Sequence, residues 1–167
     1  NFSNKPEMFG LEPSVSARKS LEIFKKNKIT NILELGAGLG RDTVFFAQNS
    51  IKVHALDYSP SAISVIKEKA KKYNLDRLIT AETFDVRHSL KIKNNFFDAC
   101  YSHMLYCMAL STLDISKMNT EINRVLKQGG LNIYTVRNDV DGDYKNGIHR
   151  GEDMYEANGF IVHFFTK

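Results

Sequence analysis

The sequence predicts an α/β protein, a three-layer sandwich in which helices cover both faces of a mostly parallel central sheet. Three observations carry this. Short apolar runs alternate with segments of helical periodicity along most of the chain. A glycine-rich loop, Gly36-Ala37-Gly38-Leu39-Gly40, joins the first run to the helical stretch after it. Two later runs close on acids, Asp57 and Asp85. Strands joined by right-handed crossovers leave their ends, and the loops that follow, on one edge of the sheet.

Residues 1–13 contain Pro6, show little periodicity and read as an arm that carries Met8, Phe9 and Gly10. Pro13-Ser14 starts a helix. Ala17, Leu21 and Phe24 follow at helical spacing, and Lys25, Lys26 and Lys28 lie where cations suit the helix dipole. Ile32 to Leu35 is the first strand, and Asp42 to Gln48 forms the helix behind the glycine loop, with Val44, Phe45 and Phe46. Val53 to Leu56 is the second strand, ending at Asp57. Ser59-Pro60 supplies a capping hydroxyl and then a proline in the first turn, so a helix begins there. Ile63, Ile66, Ala70 and Tyr73 make its apolar face. Leu78 to Phe84 reads as the third strand and Phe96 to Ser102 as the fourth. A helix with Met118, Ile122, Val125 and Leu126 ends at Gln128-Gly129-Gly130. Leu131 to Val136 alternates as a fifth strand. Asp139 to Gly151 is polar and irregular, and Phe160 to Phe165 reads as a sixth strand or the lead-in to a helix.

The 167 residues suit one domain, 1–167, and 43% hydrophobic content is enough for a core. No apolar run approaches the ~20 residues of a membrane span, and no leader pattern is visible. Cys100 and Cys107 make no disulfide framework, so a reducing, cytoplasmic setting is expected. With His103 they match no zinc spacing, and no metal is expected. A net charge of +4 does not demand nucleic acid. Lys67, Lys69, Lys71 and Lys72 read as a solvated face.

The loop spacing selects the ligand. A dinucleotide loop reads G-x-G-x-x-G. Here Arg41 stands at the third-glycine position and the glycine comes one residue early, at Gly40. With Glu34 two places before Gly36, the block Glu34-Leu35-Gly36-Ala37-Gly38-Leu39-Gly40-Arg41 resembles motif I of class I S-adenosylmethionine (SAM)-dependent methyltransferases. A ribose needs an acceptor for two adjacent hydroxyls, and Asp57 stands at the end of the second strand. Ser59 already caps the next helix, which leaves Asp57 for the ligand.

The resemblance runs from Ile32 to about Val136 and includes Asp85 and Leu126-Lys127-Gln128-Gly129-Gly130-Leu131. It implies a Rossmann-like fold with SAM as cofactor. Glu34 and the Gly36, Ala37, Gly38 and Gly40 backbone would hold the methionine end, with Arg41 near its carboxylate. Asp57, with Tyr58 beside it, would take the ribose. Asp85 and the Val86 N–H would meet the adenine, the fourth-strand exit from Ser102 to Tyr106 would border the methyl donor, and Phe9 would fold over the cofactor. Tyr-Ser-His-Met-Leu-Tyr in place of an Asn/Asp-Pro-Pro-Tyr/Phe block argues against methylation of DNA base amines. Gly40-Arg41-Asp42-Thr43 and His163-Phe164-Phe165 point to the small type-11 and tellurite-resistance-type enzymes.

The expected reaction is in-line methyl transfer to a small-molecule acceptor, by a monomer or homodimer without nucleic-acid or membrane partners. His103 and Tyr106 are the candidate bases should the nucleophile carry a proton. A packed histidine and a pocket wall are the structural alternatives for these two. The competing readings are a SAM-binding module without turnover and a nicotinamide-dependent oxidoreductase, the latter opposed by Arg41. A seven-stranded sheet of this family needs a further helix and strand, so the C-terminal part of the fold is expected to be missing from this chain.

Overall fold

The computed structural model describes residues 12–157 and 159–166; Met8, Phe9 and Gly10 lie outside them. Ser14 begins α1 (Val15–Lys26) by accepting the Ala17 N–H on its hydroxyl, and Ala17, Leu21 and Phe24 are buried. β1 (Asn31–Leu35) leads through the glycine loop into α2 (Arg41–Gln48). β2 (Lys52–Asp57) leads into α3 (Pro60–Lys72), capped by Ser59 with Pro60 in its first turn as expected. β3 (Ile79–Thr83), β4 (Phe97–His103), α4 (Thr112–Val125) and β5 (Leu126–Thr135) follow. Ser111 and Asp114 form a reciprocal capping box at the start of α4.

The central sheet has the order β3-β2-β1-β4-β5, and every pairing is parallel. Alternate side chains serve opposite faces. Ile32, Val53, Ala55, Ala99 and Tyr101 pack with Phe24 of α1, Phe46 of α2 and Ile66 of α3. Phe46 meets Tyr101 edge-on at 5.0 Å and Phe24 at 5.4 Å; such pairs add roughly 0.5–1.5 kcal/mol each beyond burial. On the other face Leu33, Leu35, Leu56 and Cys100 pack with Met118, Ile122 and Val125 of α4. The strand order reverses between β1 and β4. That switch point is where open parallel sheets bind ligands, beyond the carboxyl ends of the strands.

Two expectations are corrected. The last helix does not run to Gln128–Gly130. It stops at Val125, because Leu126 is already extended (φ −75°, ψ 142°) and pairs with Phe97. Ala99 pairs next with Leu131, so residues 127–130 bulge from the strand opposite Asp98. Lys127 grips Asp98 at 2.6 Å, and Gly129 supplies the left-handed turn (φ 75°). Phe160–Phe165 is a strand, but it does not extend the central sheet. It belongs to a second sheet of order β6-β9-β8-β7, made of β6 (Arg137–Asn138), β7 (Ile148–His149), β8 (Met154–Ala157) and β9 (Phe160–Phe165). β6 pairs with β9 beyond the break at Val136, and Arg137 lies over the Phe164 ring while pairing with Asp141 and Asp143. Of Asp139–Gly151, read as irregular, Ile148–His149 joins this sheet and the rest runs as turns.

Candidate functional site

The glycine loop sits at the switch point. Gly36, Gly38 and Gly40 all have positive φ (70°, 53° and 75°), a region that costs other residues about 1–2 kcal/mol. The Gly36 and Ala37 N–H groups both donate to the Leu56 carbonyl, which ties the loop to β2. The three glycines differ in what surrounds them. A Cβ on Gly40 would lie 2.6 Å from Ile66 Cγ1, and one on Gly36 would lie 3.2 Å from Leu105; one on Gly38 would meet nothing within 4 Å among the described residues. Gly40 therefore lets α2 and α3 close together, while Gly38 borders open space. Serines cap α1, α3 and α4, but α2 begins at Gly40 with no side-chain cap. Its positive end faces the loop, an arrangement suited to an anionic group such as a ligand carboxylate.

The acids flank this cradle. Asp57, 5% exposed, accepts the Gly38 N–H on one oxygen (2.8 Å) and the Ser59 N–H on the other (2.9 Å). Each oxygen keeps a further lone pair for a hydroxyl. Tyr58 next to it is 69% exposed, leaving its ring at the edge. Glu34 is buried and accepts the Thr43 hydroxyl at 2.6 Å. Burial pushes its carboxyl up to about 8, against the Thr43 hydrogen bond and with help from Asp42 and Asp57. Asp85 is held by Arg87, whose side chain and backbone N–H both donate to it; that pairing brings the carboxyl down to about 2. Val86 follows it and packs partly buried on the α4 side of the core.

The exit of β4 provides the remaining groups. Ser102 is fully buried, and its hydroxyl has no partner among the described residues. His103 is half-buried, with Nδ1 2.9 Å from the Thr135 hydroxyl. Burial lowers its pKa, while Asp42 raises it and Arg41 lowers it, so these two charges stand near the ring. Tyr106 is 1% exposed, its hydroxyl donating to Asn119 (2.5 Å) and accepting from Asn132 (3.1 Å), and it stacks on Tyr134 at 4.2 Å. Burial pushes its phenol up to about 12. Its two hydroxyl bonds tie β5 to α4, the packing expected of a pocket wall. Cys100 is buried among core residues, and burial raises its thiol pKa. Among the described residues no cluster suits a metal ion.

Sequence reasoning missed two parts of the site. Asp42 was read as a helix residue, yet it is 4% exposed and accepts the Ser14 N–H (2.8 Å), the Ser14 hydroxyl (2.7 Å) and the Tyr101 hydroxyl (2.9 Å). It locks the start of α1 to the start of α2, through partners far apart in the chain. Thr135 was read as an ordinary strand residue. Its pairing with His103 across β4 and β5 was the available signal, because both close their strands on the same edge. A shallow cup of about 520 Å³ lies elsewhere, on the outer face of α4 by Asn119 and Asn123, and among the described residues no ionisable group lines it.

The open side of Gly38, the uncapped end of α2 and Asp57 beside them fit a ribose-bearing ligand with a carboxylate. Comparison with known proteins agrees. A family model described as a methyltransferase domain matches residues 32–130. Phosphoethanolamine N-methyltransferase 1 of Triticum aestivum is 32% identical over 127 residues, covering 75% of this chain and 22% of that protein. Two solved structures share the fold. One is described as a sarcosine dimethylglycine methyltransferase from Galdieria sulphuraria (TM-score 0.60, 20% identity, 67% of this chain and 43% of that one). The other is the PH0226 protein of Pyrococcus horikoshii OT3 (TM-score 0.62, 21% identity, 73% and 53%). The chain spans about a fifth of the wheat relative and about half or less of each structure. With the family model matching more than half of its residues and a parallel sheet of this order behind the glycine loop, the chain belongs to the class I SAM-dependent methyltransferase-domain family.

Proposed function

We propose that this protein transfers a methyl group from SAM to a small-molecule acceptor. The observation that carries the reading is the open cradle over Gly38, with Asp57 fixed on its rim by two backbone N–H groups. SAM supplies an electrophilic methyl on a sulfonium whose leaving group is neutral and needs no acid. The protein's task is then placement, worth up to roughly 7–11 kcal/mol in favourable cases. Asp57 binds the ribose hydroxyls, and Asp85 with the Val86 N–H takes the adenine edge. Gly36, Ala37, Gly38, Gly40, Arg41 and Glu34 surround the methionine end, and Ser102 and His103 border the methyl position. The acceptor approaches from the side of the β4 and β5 ends.

The wheat relative is named for a small amine acceptor, and the Galdieria protein for small amino acids. These names support a small acceptor here. The kinship with type-11 and tellurite-resistance-type enzymes belongs to the same proposal and rests on Gly40-Arg41-Asp42-Thr43 and His163-Phe164-Phe165. Calorimetric titration with SAM, then methyl transfer to thiol, metalloid, amine and carboxylate acceptors, tests it. Asp57→Ala is expected to raise the SAM dissociation constant at least about tenfold, the scale of a lost hydrogen bond to a charged group. An unchanged constant removes Asp57 from the site. SAM binding with no turnover on any acceptor leaves a binding module.

A further inference from the structure

His103 closes β4, Thr135 closes β5, and the two are paired in register. The Thr135 hydroxyl oxygen accepts the Met104 N–H at 2.9 Å and lies 2.9 Å from His103 Nδ1. Among the described residues, Nδ1 is the one acceptor within reach of that hydroxyl's own proton. We infer that Thr135 donates to Nδ1 and fixes His103 as the neutral Nε2–H tautomer. The site then offers the methyl acceptor a hydrogen-bond donor instead of a base, and holds it through a carboxylate or carbonyl oxygen. This rests on the methyl-transfer reading and replaces the expectation of His103 as proton acceptor.

Five observations converge on it. Met104 N–H to Thr135 and Thr135 to Nδ1 form a chain in which each bond polarises the next. Met104 itself is left-handed (φ 63°), a conformation that persists in a non-glycine residue when its surroundings hold it. Thr135 takes its N–H, the Cys107 thiol donates to its carbonyl at 3.1 Å, and Leu105 beside it packs at Gly36. The ring is therefore carried on a pinned turn. Nε2 has no hydrogen-bond partner among the described residues. Burial disfavours the imidazolium, so the ring is presented neutral. Asp42, the nearby carboxylate, is engaged by Ser14 and Tyr101 and makes no hydrogen bond to Nε2. Thr135 is a positioning residue, and His103 is the group that meets the acceptor.

Long-range proton–nitrogen NMR on the 15N-labelled chain reads the tautomer directly, with the His103 signals assigned by their loss in His103→Gln. At pH 7 the unprotonated ring nitrogen of His103 is expected to be Nδ1. Thr135→Val should abolish that preference, and Thr135→Ser should restore it. A proton on Nδ1 in the parent protein overturns the inference. Acetate and methylammonium then serve as probes on protein saturated with S-adenosylhomocysteine. Acetate is expected to shift the Nε2–H signal saturably and methylammonium to leave it unmoved. A response to methylammonium without one to acetate overturns the oxygen recognition. Failure of S-adenosylhomocysteine to bind strikes the methyl-transfer reading instead, because the tautomer is measured without it.

Discussion

Glu34 shows how one residue links the fold to its environment. It lies in the first strand, buried, with Asp42 and Asp57 as neighbouring carboxylates. Its carboxyl sits near 8 in the folded state against an ordinary value of 4.5. Between those values the folded chain holds a proton that the unfolded chain has released. Stability from this group is therefore complete below about 4.5 and declines as pH rises through 8, by an amount of order 5 kcal/mol at full ionisation. Glu34→Gln keeps an oxygen for the Thr43 hydroxyl and cannot ionise. Its urea midpoint, compared with that of the parent protein, is expected to be nearly equal at pH 5 and clearly higher at pH 8.5. Parallel midpoints across that range would show that Glu34 does not titrate as its burial implies.

At the scale of elements, the glycine loop separates folding from binding within five residues. Gly40→Ala combines a left-handed backbone with a 2.6 Å approach to Ile66, so it forces α2 and α3 apart. It is expected to cost roughly 2–5 kcal/mol in urea unfolding. Gly38→Ala bears the backbone cost alone, about 1–2 kcal/mol, since its methyl enters open space. It should nevertheless weaken S-adenosylhomocysteine binding, because that space is the proposed cofactor cradle. Equal loss of stability in the two variants would deny the division of labour. This loop was legible in the sequence because its signal is local: spacing, a preceding strand and a following helix. The Ser14 and Ser59 caps were legible for the same reason. The end of α4 was not. Residues 126–130 read locally as a helix stop, and only the pairing of Leu126 with Phe97 makes the segment strand and bulge. Asp42 and Thr135 escaped for a related reason, since their roles come from partners on other elements.

At the scale of the molecule, the second sheet was the least legible part. Two of its strands are two residues long, and β7 is exposed, so no hydrophobic period marks them. Its attachment is tertiary. Glu152 accepts the Thr112 N–H at 2.8 Å and the Thr112 hydroxyl at 2.6 Å, at the first residue of α4. His163 donates its N–H to the Cys107 carbonyl, and its Nδ1 lies 2.7 Å from the Leu110 carbonyl. Cys107 and Leu110 belong to the chain between β4 and α4, so the clasp joins the second sheet to the turn that carries His103. Glu152 is also left-handed (φ 47°), and its two bonds to Thr112 help to offset that strain. Glu152→Ala keeps the strain and removes the bonds. Amide hydrogen exchange at His163 and Phe164 is expected to quicken about tenfold, while Leu33 and Ala99 in the central sheet keep their protection. Selective loosening would make the second sheet a separate cooperative unit, docked on the site through α4. Equal loss at Leu33 and Ala99 would mean that both sheets open together, and that acceptor access is governed by the stability of the whole fold.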